Sequence, residues 1–205
     1  MQLEGLVYKL VPIETDLGDE NPYLMGRIDS DLMYDIVMQW EWGNSERLDI
    51  YHDPETRKNS ISFRSNMARL AETLINEGKV EKAKDILDLA IEKMPLDYFG
   101  YYSLLVPFVD GYYRIGEIEK ARELSDNIAA KYSGRLNYFS SLDANLQYNL
   151  GEEIITEIER YRTLVEADLK HGETIELAPV LNQFIESNID FEFLLFCLGF
   201  VRESI

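Results

Sequence analysis

GKVEKAKDILDLAIEKMP, residues 78–95, decides how this chain is read, because a near match, GEIEKARELSDNIAAKY, returns at residue 116. Each phrase begins with glycine, continues with Glu-Lys-Ala, and then shows an apolar face at helical spacing. Read backwards from Gly78, Met67, Leu70, Ala71 and Leu74 line one face of a preceding helix. Read forwards, Ala83, Leu87 and Ala90 line a following helix, which Pro95 closes. Glycine at the junction supplies the left-handed residue that ends one helix before the next begins. Ala71 and Ala83 are small enough to let two antiparallel helices approach closely.

The same order recurs 38 residues on, at Leu105, Phe108, Val109, Tyr112, Gly116, Ala121 and Ile128. Large, large, small, large, turn glycine, small, large, small, proline is the order of the tetratricopeptide repeat, whose period is about 34 residues. The extra four residues are assigned to LDYFG between the units. The second copy departs in two places: Ser125 stands where a large apolar residue belongs, and no proline ends it. Pro107 is a difficulty inside a helix, where it removes a hydrogen bond at a cost of about 3 kcal/mol; the helix either kinks there or starts close to it.

Helical pairs cannot cover their own apolar faces, and about three are needed for a stable stack. A third, degenerate unit is centred on Gly172, with Tyr161, Leu164 and Val165 before the turn and Leu177, Leu181 and Phe184 after it. Phe191–Val201 is expected to cap the stack, and residues 134–157 are an insertion whose second half, from about Leu146, extends the third unit's first helix. The expected fold is therefore mainly α, a tetratricopeptide-like α-α superhelix of about three hairpins with a short extended N-terminal arm.

Upstream of the array, LEGLVYKLVPI suits a short strand or extended arm ended by Pro12. Leu32, Met33, Ile36, Val37 and Trp40 predict a helix over 31–42 capped by Asp29 or Ser30. Residues 43–60, dense in Asn, Ser, Asp and Pro, read as an irregular connector, with Asn59 or Ser60 capping the next helix. Two regions result: 1–60, arm, helix and connector, and 61–205, the helical array.

Bulk chemistry narrows the function. A formal charge of −18 and no Lys/Arg run disfavour nucleic acid. The longest apolar run, Phe193–Val201, is nine residues, against about 20 for a membrane-crossing helix; the opening MQLEGLVYKLVP is not a secretory signal. The single cysteine, Cys197, excludes an internal disulfide framework and any cysteine-based metal site. Asp29, Asp31 and Asp35 fail the calcium-loop pattern, since the sixth and twelfth positions hold Tyr34 and Trp40 rather than glycine and glutamate. Glu152, Glu153, Glu157 and Glu159 read as a solvated face. His52 and His171 have no Cys or His at metal-binding spacing. No catalytic set and no cofactor are expected.

First helices of such repeats line a concave face, which makes Ser65, Ala68, Glu72, Ile75 and Asn76, then Ser103, Val106, Asp110, Tyr113 and Arg114, the candidate groove for a protein partner. Glu72 and Asp110 oppose capture of a terminal carboxylate. Tyr98, Phe99, Tyr101, Tyr102, Tyr112 and Tyr113 are the densest aromatic cluster, read mainly as packing, with Tyr101 and Tyr113 as candidate contacts.

SISFRSNMARLAETLINEGKVEKAKDILDLAIEKMP with DYF, then VPFVDGYYRIGEIEKARE and LNYFSSLD, resembles the soluble C-terminal region of a family of large bacterial membrane proteins related to protein O-mannosyltransferases. EGLVYKLVPIE and the DSDLMYD to WGN segment are similar to the stretch just past the last membrane helix in that family, so the resemblance covers about residues 4–185. It implies a periplasmic tail of a polytopic glycosyltransferase using a lipid-linked sugar donor. The family's catalytic acids lie in segments with no counterpart here, so none is carried over. The expected function is a non-catalytic interaction module, docking on its own membrane domain or presenting an acceptor polypeptide. The alternative is a free-standing, cytoplasmic adaptor that binds an extended or helical peptide in its groove.

Overall fold

Every helix junction expected from the glycines carries the same backbone signature. In the computed structural model, which describes residues 1–12 and 26–173, Gly78, Gly116 and Gly172 have φ of +74°, +83° and +82°. After each, the next residue's N–H reaches back five positions: Lys79 to the Leu74 carbonyl at 2.8 Å, Glu117 to Tyr112 at 3.0 Å, Glu173 to Asp168 at 3.0 Å. The glycine N–H itself bonds the carbonyl three residues back, those of Ile75, Tyr113 and Leu169, at 3.0–3.1 Å. This closure satisfies two orphan carbonyls at each helix end and requires a left-handed residue that glycine adopts without a Cβ penalty.

The described residues are mainly helical, with eight α-helices and one small sheet. They belong to two compact units, Met1–Ile118 and Glu119–Ile205. In the first, β1 (Gln2–Glu4) and β2 (Val7–Lys9) form a hairpin across the two-residue turn Gly5-Leu6, and β3 (Arg27–Ile28) pairs parallel to β1, giving the order β2-β1-β3. The arm is thus a hairpin rather than one strand, because Gly5, at φ +65°, turns it back. Asp29 caps α1 (Ser30–Val37) through the Leu32 N–H.

Helix α2 (Pro54–Asn76) starts earlier than the expected Asn59 or Ser60. Asp53 accepts from the N–H groups of Glu55 and Thr56 at 2.9 and 3.1 Å, and Pro54 occupies the first turn, where its missing N–H costs nothing. The second half of the supposed connector is therefore helix. Past Gly78, α3 (Val80–Lys93) lies along α2, and Met67, Leu70, Leu74, Ala83, Ile86, Leu87 and Ala90 are all fully buried.

The LDYFG segment forms a single turn of helix, α4 (Leu96–Phe99), followed by Gly100 and Tyr101, both at positive φ. Arg64 holds this insertion. Its side chain is 0% exposed, and its guanidinium donates to the carbonyls of Met94 at 2.7 Å and Gly100 at 2.5 Å. A 3₁₀ turn (Tyr102–Leu105) then leads into α5 (Val106–Arg114), and Pro107 sits in its first turn, so the helix starts close to the proline and needs no kink. Gly111 lets α5 approach α3 and α2: a Cβ there would lie 3.1 Å from Leu87 Cδ2 and 3.7 Å from Ile75 Cδ1.

In the second unit, α6 (Ile118–Ser140), α7 (Ala144–Asn149) and α8 (Gly151–Lys170) follow one another. Contacts between α6 and α8 pair Ser125 with Asp168, Tyr132 with Tyr161, and Arg135 with Glu157, so the two helices run antiparallel. The segment 134–157 is no single insertion. Its first part continues α6; Asp143 then caps a separate short helix by accepting from Asn145 and Leu146, and the chain breaks at Leu150 before α8. Ser125, the odd residue of the second copy, is buried and donates to Asp168 Oδ2 at 2.6 Å, a polar bond in place of apolar contact. The second helix of the third unit, the capping segment 191–201 and Cys197 lie outside the described residues.

Candidate functional site

Two features of the first unit bear on function, the α2–α5 face and an aromatic cavity beside it. On the face, the 38-residue offset is realised as a side-chain contact: Arg114 Nη2 donates to Asn76 Oδ1 at 2.5 Å. Arg114 Nη1 also lies 3.8 Å from Asp110. Glu72, exposed on α2, makes no ion pair among the described residues, so the face keeps an acidic excess. Ser65, Ala68 and Ile75 are half-buried, and Ser103 is exposed on the 3₁₀ turn. Val106 and Tyr113, expected to face a partner, are instead 8% and 6% exposed and belong to the core. Tyr101 is 38% exposed.

The N-terminal sheet borders this face. Asn66 Nδ2 donates to the Gly5 carbonyl at 2.9 Å, and Arg69 donates to the Gly26 carbonyl at 3.0 Å and the Tyr8 hydroxyl at 3.2 Å. Near the far end of α2, Asp31 accepts from Lys79 and Lys82 at 2.7 Å each, and these two hydrogen bonds hold its carboxyl down at about 2. Tyr34 donates to Asp85, whose acceptance of that bond pushes the phenol up to about 12. Asp29 caps α1, while Asp35 contributes its carbonyl to Gln39. The three aspartates thus serve three separate local purposes.

The cavity has no counterpart among the sequence-based expectations. It has a volume of about 330 Å³ and is walled by Trp40, Trp42 and Phe63, with Leu6, Met94 and Phe99 completing its apolar lining. The three principal rings touch: Trp40 and Phe63 at 5.0 Å and 82°, Trp40 and Trp42 at 5.7 Å and 66°, Trp42 and Phe63 at 5.4 Å and 50°. All three of its hydroxyls already donate within the protein. Ser45 Oγ donates to the Lys93 carbonyl, Ser60 Oγ to the Arg57 carbonyl, and Thr56 Oγ1 to Asp53. Glu41 and Asn59, also lining it, have no side-chain hydrogen bond or ion pair among the described residues.

His52, expected in a surface loop, is half-buried at this cavity. Its ring lies 5.4 Å from Tyr98 and 5.9 Å from Phe99, and its backbone N–H donates to the Tyr98 hydroxyl, which in turn donates to the Ile50 carbonyl. Its Nε2 is sealed from solvent with no hydrogen-bond partner among the described residues. Tyr98 and Phe99 therefore fix the loop before α2, while Tyr112, whose hydroxyl donates to Asp88 at 2.8 Å, fixes α5 on α3. Burial, reinforced by Asp88, pushes the Tyr112 hydroxyl well up.

Among the described residues, no group of three or more His, Cys, Asp or Glu side chains is placed to hold a metal ion, and no helix is long and apolar enough to cross a membrane. No family model, no curated protein and no solved structure matches the chain.

Proposed function

We propose that this chain is a non-catalytic protein-interaction module built as a tetratricopeptide-like array, presenting the acidic α2–α5 face to a polypeptide. The observation that carries the reading is the Asn76–Arg114 contact, which joins equivalent positions of two successive units 38 residues apart. Parallel first helices brought into register in this way are the element from which helical repeats build extended binding surfaces. Glu72 and the Asp110–Arg114 pair select a partner segment that is neutral or basic, in keeping with the chain's charge of −18. Through its family resemblance, the module is proposed as the periplasmic tail of a membrane glycosyltransferase, docking on the catalytic domain or presenting an acceptor protein.

A photo-crosslinking amino acid at Glu72 tests the binding face in cells that make the protein natively. The reading expects one discrete crosslinked polypeptide from position 72 and none from exposed Glu81 on α3. Equal yields from both positions, or none from either, reject the face. An immunoblot of the fractionated cells tests the parentage: a membrane-bound species far above 23.8 kDa supports it, and a soluble species of that mass supports the free adaptor.

A further inference from the structure

We propose that the cavity walled by Trp40, Trp42 and Phe63 is a binding site for an alkylated ammonium group. With Ser45, Thr56 and Ser60 donating internally, the uncommitted polar groups of the lining are the Glu41 carboxylate, the Asn59 amide and the sealed His52 Nε2, too few to replace the water around a polyhydroxylated ligand. An anion would meet the Glu41 carboxylate at the cavity and a chain charge of −18. A wholly apolar, neutral ligand would draw Glu41 and Asn59 away from water and give them nothing in return.

A cation with apolar substituents compensates Glu41, the one carboxylate of the lining, and needs no hydrogen bonds of its own. Its methyl groups lie against the aromatic lining, and its charge meets the unpaired Glu41 carboxylate beside it. Packed edge to face and tilted at 50–82°, the three rings form one continuous aromatic wall of the cavity. Nearby cations do not already fill this role: Lys93 is paired with Glu46 and Glu92, and Arg57 lies over the Tyr98 ring and donates to the Tyr98 carbonyl. The site is separate from the α2–α5 face and stands whether or not that face binds a polypeptide.

Trp40 and Trp42 are the chain's two tryptophans, so indole emission reports on this cavity. The full chain is titrated at constant ionic strength with choline, with 3,3-dimethylbutan-1-ol, its neutral analogue of the same shape, and with a peptide bearing trimethyllysine. The expected result is a saturable emission change with the cations, and binding of the neutral analogue at least about tenfold weaker, the discrimination a partly desolvated cation–π site supplies. Glu41→Gln, at an exposed position, should weaken choline by a similar factor without changing the far-ultraviolet circular dichroism spectrum. Tighter binding of the peptide than of choline assigns the group to a polypeptide partner, and the reverse assigns it to a free small molecule. Equal binding of choline and its neutral analogue, an unaffected Glu41→Gln variant, or no saturable response to either cation overturns the proposal.

Discussion

Replacing Arg64 by methionine probes the join that makes the 38-residue period possible. The guanidinium makes two charge-assisted hydrogen bonds, to the carbonyls of Met94 and Gly100, and bonds of this kind contribute about 1.5–3 kcal/mol each, or about 3–6 kcal/mol together. Against this stands the cost of burying the charge. Desolvation pushes the Arg64 guanidinium from 12.5 down to about 10, a penalty on the charged form of about 3 kcal/mol. Methionine keeps much of the apolar stem, removes the charge and strands two carbonyls, so the net loss is expected near 2 kcal/mol, or about 4–8 °C in Tm for a chain of this size. Tryptophan emission is the appropriate probe, because Trp40 and Trp42 share the first compact unit with Arg64. Arg64→Lys is the informative companion: one ammonium cannot reproduce the two-pronged donation, so it should be no more stable than Arg64→Met. A stability loss below about 0.5 kcal/mol for Arg64→Met, within the range of inert surface substitutions, would mean that the two bonds do not hold the insertion in place.

Gly111→Ala should destabilise the first unit by about 1 kcal/mol, because crowding fully buried Leu87 costs about 1–3 kcal/mol against a helix-propensity gain of about 1 kcal/mol; a rise in the urea midpoint would contradict it. Ser125→Ala removes a donor from buried Asp168 and should cost about 1–2 kcal/mol, measured by thermal melting followed at helical wavelengths. The Asp31 carboxyl should titrate near 2 by NMR and move up toward its unfolded value of about 3.9 when Lys79 or Lys82 is changed to Ala. Since its folded value is the lower one, the Asp31 contribution to stability is fully present above about pH 4 and is lost as pH falls toward 2.

The helix ends are legible because glycine in a left-handed closure leaves a local mark: Gly78, Gly116 and Gly172 can be found without knowing what surrounds them. The start of α2 is easily misplaced for an equally local reason, since Asp53-Pro54 is both a turn signal and a helix cap, and the dense polar residues after it favour the turn. Periodicity separates the core positions of α2 from its half-buried and exposed ones, but Tyr113 and Val106 are buried because α5 is short and packed on two helices, a tertiary fact. The aromatic cavity is assembled from the β1–β2 turn, the segment after α1, the first turns of α2 and the end of α3. No spacing rule joins such distant pieces; the pairing of Trp40 with Trp42 is the one local sign. Arg64 leaves none, because in sequence a buried arginine looks like any other on a helix.

Linking positions 76 and 114 is the sharpest check on whether successive units stack side by side. Asn76→Cys and Arg114→Cys, in a Cys197→Ser background that removes the one native thiol, are treated with a short bismaleimide and digested for mass spectrometry. Stacked units place the two residues in contact, and one peptide pair joined through the linker should dominate within single chains. Separate single-site adducts, with no joined pair, would show that the repeat in the sequence is not a repeat in space.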